Sequence, residues 1–213
     1  FQNTEDWVTH LNLASSIGIL HDIVEDESGN LWVGGSLGLA KVLPESKSFV
    51  PFDRETLLLQ KNCRITALQI NGEGNITIGT DTGQLLVWSV DTSMPLANSA
   101  ITGNALHYIS KFTRYGDKLI IATDRGLFAS DSQLSFIEDL SEKGNGLSNP
   151  DIYSLFRDGK YIWVGTFGGL DLLSFSPFDL FNSRHSGVYN TVLAFAESIE
   201  GRVWITTYSG LYL

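Results

Sequence analysis

Residues 160–170 read KYIWVGTFGGL, and residues 29–39 read GNLWVGGSLGL. Both place a tryptophan beside a valine, follow it with small residues, and reach Gly-Leu at the same distance. Three further stretches share the plan: GNITIGTDTGQL at 74–85, DKLIIATDRGLF at 117–128 and GRVWITTYSGL at 201–211. The anchor column is Trp32, Thr77, Ile120, Trp163 and Trp204, at spacings of 45, 43, 43 and 41 residues. Six positions beyond each anchor stands a glycine: Gly38, Gly83, Gly126, Gly169 and Gly210.

A period of roughly 40–45 residues built from short β-branched runs is that of a propeller blade. A helical repeat of this length needs an apolar stripe at about 3.6-residue spacing, and these segments are broken by Gly and Asp instead. The chain is therefore read as all-β, a β-propeller of four-stranded antiparallel blades with five blade repeats. Their approximate spans are 20–52, 65–101, 107–140, 151–182 and 191–213 within one propeller over 1–213. Residues 1–4 are available to complete the last blade. The five form either a closed five-bladed ring or part of a larger, for example seven-bladed, propeller.

Within each repeat the first strand carries the apolar column Ile23, Leu68, Phe112, Leu155 and Phe195 and is expected next to the central channel. A charged, Gly-rich turn leads into the anchor strand. That strand continues through Val33, Ile78, Ile121, Val164 and Ile205 to a small column, Gly34, Gly79, Ala122, Gly165 and Thr206. Small residues there are expected to let two backbones approach, because glycine in a strand otherwise weakens it. The tight turns that follow end on glycine, as turns closing at positive φ require. The outer strand is weakly signalled, around Ser48–Phe52, Ser135–Leu140 and Phe178–Asn182.

Composition excludes several classes. With 24 acidic and 14 basic residues the formal net charge is −10, which disfavours nucleic acid and anionic membrane surfaces. Cys63 is the single cysteine, so no internal disulfide or thiolate metal cluster exists. No apolar run reaches the roughly 18 residues of a membrane span. The chain opens without methionine and closes within an apolar pattern, and is read as part of a longer polypeptide.

With these residues in hand, the repeats resemble the two-component regulator propeller family, whose core reads G-N-L-W-I-G-T followed by G-G-L. Residues 29–39 and 160–170 match it best. The lead-in GLSNPDIYSLFRDG at 146–159 is similar to the family's entry into a blade, and GVYNTVLAFAES at 187–198 looks like a variant. The second and third copies depart by lacking the anchor tryptophan. The resemblance implies a periplasmic sensor part of a bacterial membrane receptor, with a histidine kinase or diguanylate cyclase as output, and a receptor dimer.

No motif calls for catalysis or a cofactor. The histidines lack the paired spacing of a zinc hydrolase. His21 and Asp22 are adjacent, but neighbouring strand residues point to opposite faces. Glu25, Asp26 and Glu27 read as a solvated hairpin turn; a glycosidase pair would need two carboxylates set across a substrate.

Binding falls instead to the loops of one disc face, where the turn after the anchor strand meets the connection into the next blade. The candidates are Asp124, Arg125, Phe167, Tyr208, His107, His185, Tyr189 and Asn190. Aromatic, amide and charged groups of this kind suit a small polar, carbohydrate or peptide ligand. Two alternatives stay open, a propeller enzyme acting on polysaccharide and a constitutive dimerisation scaffold.

Overall fold

Five antiparallel sheets follow one another along the chain, one for each copy of the repeat. The computed structural model describes residues 12–43, 45–71, 73–101, 107–140, 147–174, 191–198 and 202–212. A short helical turn, α1 (Ala14–Ile17), leads into sheet one: β1 (Leu20–Glu25), β2 (Leu31–Gly35), β3 (Gly38–Leu43) and β4 (Ser48–Asp53). Sheet two holds β5 (Ile65–Ile70), β6 (Ile76–Thr80), β7 (Gln84–Trp88) and β8 (Pro95–Ala100). Sheet three holds β9 (Ile109–Tyr115), β10 (Lys118–Thr123), β11 (Gly126–Ser130) and β12 (Ile137–Asp139). Sheet four has β13 (Ile152–Asp158), β14 (Tyr161–Thr166) and β15 (Gly169–Ser174), and sheet five has β16 (Val192–Glu197), β17 (Val203–Thr207) and β18 (Gly210–Tyr212). The outer strand read at Phe178–Asn182 and the closing role read for residues 1–4 lie outside the described residues. Among the described residues no strand pairing joins sheet five to sheet one.

The first strands β1, β5, β9, β13 and β16 pack beside one another in chain order, which gives the sheets their radial arrangement. A sheet covered on both faces has middle strands that are apolar throughout rather than alternating, and sheet two shows it. β6 and β7 are buried at every position. Between sheets one and two, Trp32 and Leu39 pack on Ile65, Leu68, Ile78 and Trp88. Phe52 stacks on Trp32 at 5.8 Å and meets Trp88 edge-on at 5.6 Å.

The small column has a more specific purpose than the backbone approach expected from sequence. A Cβ on Gly34 would lie 2.5 Å from Ile65 Cγ2, and one on Gly79 would lie 2.6 Å from Ile109 Cγ2. On Gly165 it would lie 2.8 Å from Val192 Cγ1. The space belongs to a side chain, not to a backbone: the opening residue of each following sheet is a plug that fills a notch in the sheet before it. Ile152 packs with Ala122 in the same way. Ile65, Ile109, Ile152 and Val192 are accordingly 0–1% exposed. Sheet five carries Thr206 at the notch position, and Leu20, the plug of sheet one, is 48% exposed.

The turn at Glu25–Glu27 also differs from the solvated hairpin expected. Glu25 and Glu27 are exposed, but Asp26 is buried. Its carboxylate accepts hydrogen bonds from the Ser28 and Asn30 backbone N–H groups, from Asn30 Nδ2, and from Trp32 Nε1 at 2.9 Å. Burial pushes this carboxyl up, but the bonds from Trp32, Asn30 and Ser28 outweigh it and hold it below the ordinary carboxylate range. The acid therefore ties the loop to the anchor tryptophan.

Candidate functional site

The first strand of every sheet breaks register once, at the same place. Pairing skips a residue between Leu20 and Asp22, Ile65 and Ala67, Ile109 and Lys111, Ile152 and Ser154, and Val192 and Ala194. The bulged residues are His21, Thr66, Ser110, Tyr153 and Leu193. A β-bulge leaves one residue unpaired and re-aims its side chain. All five line a single cavity of about 330 Å³ at the centre of the arc. The bulge also overturns the alternation argument for His21 and Asp22, since both line this cavity.

Two of the re-aimed groups lock neighbouring sheets together. Thr66 Oγ1 donates to the Ile109 carbonyl and Ser110 Oγ donates to the Ile152 carbonyl, each at 2.6 Å. Asp22 reaches further. Its Oδ2 accepts from the Leu68 backbone N–H at 2.9 Å, and its Oδ1 pairs with Lys111 Nζ at 2.9 Å. One carboxylate thus joins sheets one, two and three across the channel. The far wall is apolar, with Leu155, Phe156, Leu193 and Phe195, and the Phe156 and Phe195 rings stack at 6.1 Å. Ser154 is 9% exposed, and its hydroxyl lies over Gly165 beside Val192 without a hydrogen-bond partner. Among the described residues no group of three or more His, Cys, Asp or Glu side chains could hold a metal ion.

The rim above the channel is built from a clip that recurs within successive sheets, joining the entry of the first strand to the turn after the second. Asp81 N donates to the Arg64 carbonyl while its carboxylate accepts from Arg64 N at 2.7 Å and from Arg64 Nε at 2.7 Å. Asp124 does the same with Tyr108, through Asp124 N to the Tyr108 carbonyl and Tyr108 N to Asp124 Oδ1 at 2.9 Å. Ser36 clips Ile19 similarly, with its hydroxyl as the acceptor. In sheet four only the backbone half remains, Phe167 N to the Asp151 carbonyl. The Phe167 ring is left 58% exposed.

The predicted rim residues separate accordingly. Asp124 accepts from Tyr108 N at the entry to β9, and His107 is buried edge-on to Phe128 at 5.3 Å. Arg125 is exposed, with its backbone N–H on Thr123 Oγ1. Phe167 and Tyr208 are exposed on neighbouring turns. Tyr153 donates to Asp151 Oδ2 at 3.0 Å; burial, then Asp151 and the nearby Tyr208, push its phenol above the ordinary value. Phe167, Tyr208 and Tyr153 thus share one side of the rim, on sheets four and five. His185, Tyr189 and Asn190 lie outside the described residues.

Sequence reasoning missed the channel set of His21, Asp22, Thr66, Ser110, Lys111 and Tyr153. Local sequence offers little signal: the column two positions before the apolar one reads His21, Thr66, Ser110, Tyr153 and Leu193, in strands that carry other polar residues as well.

Residues 146–168 match the two component regulator propeller family model. The chain therefore carries such a repeat where the Lys160–Leu170 stretch had pointed. No curated protein sequence matches the chain. Among solved structures, the extracellular domain of a candidate hybrid two component system, BT3049 of B. thetaiotaomicron, superposes with a TM-score of 0.75 at 19% identity. That match covers 95% of this chain and 30% of the other. The extracellular domain of a candidate one component system from the same organism, BT4673, gives 0.64 at 17% identity, covering 98% of this chain and 36% of that one. The β-propeller domain of Myceliophteria thermophila Cps50 (Swd1) gives 0.64 at 11% identity, covering 89% and 62%. The fold is a β-propeller fold, and this chain spans about a third of the first two relatives. Among the described residues no helix is long and apolar enough to cross a membrane.

Proposed function

From a chain that carries a two component regulator propeller repeat, we propose a non-catalytic recognition module, the periplasmic sensing propeller of a bacterial signalling receptor. A histidine kinase or diguanylate cyclase output and a dimer partner belong to the same receptor. The observation that carries this reading is the bulge column. Five sheets use one backbone device to turn five different side chains, His21, Thr66, Ser110, Tyr153 and Leu193, into one channel. A fixed scaffold that varies its inward groups is organised for binding. The nearby carboxylates support the same reading: Asp22 is engaged by Leu68 and Lys111, and Asp151 by Tyr153. Neither is a free acid standing across a substrate, as glycoside hydrolysis requires. The similarity to extracellular domains of candidate two component systems adds to it.

The unmatched plug and notch favour an arc completed by further blades over closure of sheet five on sheet one. Leu20 and Ile23 stand 48% and 55% exposed, and Thr206 fills the position that receives a plug elsewhere. A ligand acts on such a receptor only through different affinity for two of its states, and a rigid disc transmits that difference by turning against a neighbouring domain or its dimer partner.

Thermal-shift screening of the purified chain against glycans, peptides and small polar metabolites tests the proposal. A reproducible upward shift with the compound recovered intact is the expected result. Product formation would replace it with a polysaccharide-acting enzyme, and neither outcome would leave a dimerisation scaffold.

A further inference from the structure

The channel is asymmetric in a way that selects a chemistry. Of the two partners in its ion pair, the cation faces the space: the Lys111 side chain is 43% exposed and that of Asp22 is 10%. An ammonium carries three donors, and here one of them is on Asp22. Both carboxylate oxygens of Asp22 are already engaged, one by Lys111 and one by Leu68 N–H. His21 is exposed beside them and makes no hydrogen bond among the described residues. Facing this polar side, Leu155, Phe156, Leu193 and Phe195 form a wall without charge.

Resting on the reading of the chain as a recognition propeller, we infer that the channel binds a small organic anion, a carboxylate carried on an apolar body. The carboxylate takes the free donors of Lys111 and the His21 ring, and the body lies on the phenylalanine pair. A cavity of about 330 Å³ lies at the small end of the range for ligand pockets, so one compact molecule fits. Occupancy has a structural consequence. The ligand competes for the ammonium that Asp22 uses to tie sheet one to sheet three, so binding loosens a cross-channel link. That gives the anion different affinity for the linked and unlinked arcs, which is what a signal needs.

The test uses three matched probes on the purified chain: phenylacetate, neutral phenylacetamide and cationic phenethylamine. Calorimetry is expected to show phenylacetate binding at least about tenfold tighter than the amide, the size of effect a charge-assisted hydrogen bond gives. Lys111→Met erases the preference and Lys111→Arg keeps it, with circular dichroism checking that each variant is folded. On the wild-type protein, which needs no variant to fold, phenylacetate shifts the NMR signals of the His21 ring and Phe195 and leaves Phe167 unmoved. Equal binding of all three probes, or tightest binding of the amine, overturns the anion assignment. Absence of binding by any probe, or shifts confined to Phe167 and Tyr208, overturns the channel as the site. The recognition reading would outlive either result if a glycan or peptide still raised the melting temperature and Phe167→Ala with Tyr208→Ala abolished that rise.

Discussion

Sheet two and sheet five follow the same repeat plan and live in different surroundings. β6 and β7 are buried along their whole length, with Ile76, Ile78, Leu85 and Leu86 each 0% exposed. The corresponding strands β17 and β18 leave Trp204 at 38% and Leu211 at 61%. The turn chemistry persists: Thr207 Oγ1 donates to the Gly210 carbonyl at 3.2 Å, as Thr123 does to Gly126 at 2.9 Å and Thr166 to Gly169 at 3.0 Å. The difference is the neighbour. A repeat folds its own strands but takes much of its stability from the blades beside it, as nearest-neighbour models of repeat proteins hold.

The tryptophan column offers the sharpest way to break that view. Trp32, fully buried between sheets one and two, is expected to lose about 3–5 kcal/mol on Trp32→Ala. Trp204→Ala should lose about 1 kcal/mol, nearer the class of surface changes. Urea midpoints of the two variants measure the gap, and equal losses would mean that burial by neighbours is not what matters. Hydrogen exchange gives a gentler comparison. Amides of β6 should exchange at least about a hundredfold more slowly than those of β17, because local openings span free energies from near zero to the global value. Uniform protection would make the array one cooperative block.

The notch provides a third comparison. Gly79→Thr puts side-chain atoms where Ile109 and Phe112 already lie, at 2.6 and 2.7 Å from the first carbon added, and should cost roughly 1–3 kcal/mol or more. The reverse change, Thr206→Gly, should stay within about 1 kcal/mol, since no described plug sits over it.

Asp26 adds a comparison in pH. Asp26→Asn keeps an acceptor but weakens the bonds to Trp32 and the loop, for about 1–3 kcal/mol at pH 7. Its carboxyl is held low in the fold, so the stability it contributes is present above the unfolded value of about 3.9 and is lost as pH falls through the folded one. Wild type and variant should therefore converge in acid, and melting temperatures taken from pH 7 to pH 2 will show whether they do.

The repeat, its strands and its turns were legible because period and glycine phase are properties of the letters alone. Gly126 and Gly169, at φ of 131° and 138°, stand where the tight turn needs them. The candidate site was legible only in part. Phe167 and Tyr208 are exposed on neighbouring turns, as the loop argument expects, while Asp124 is engaged by Tyr108 N and His107 is buried against Phe128, partners that no local pattern names. The channel set escaped because strict alternation was applied to strands that each carry a bulge. A bulge moves one residue to the other face without leaving a mark in hydropathy. The tie from Asp22 to Lys111 joins residues 89 positions apart, beyond the reach of any local reading.

The plug and its notch also bear on how such an array grows. Each unit carries the projection on its opening strand and the recess on the strand after it, so a tandem duplicate of any inner unit arrives with both halves of the joint already matched. Lengthening by copying then needs no co-adapted surface, and a single codon, glycine or alanine against something larger, decides whether a unit accepts a successor. At residue 206 that codon reads threonine, where the other four units carry glycine or alanine.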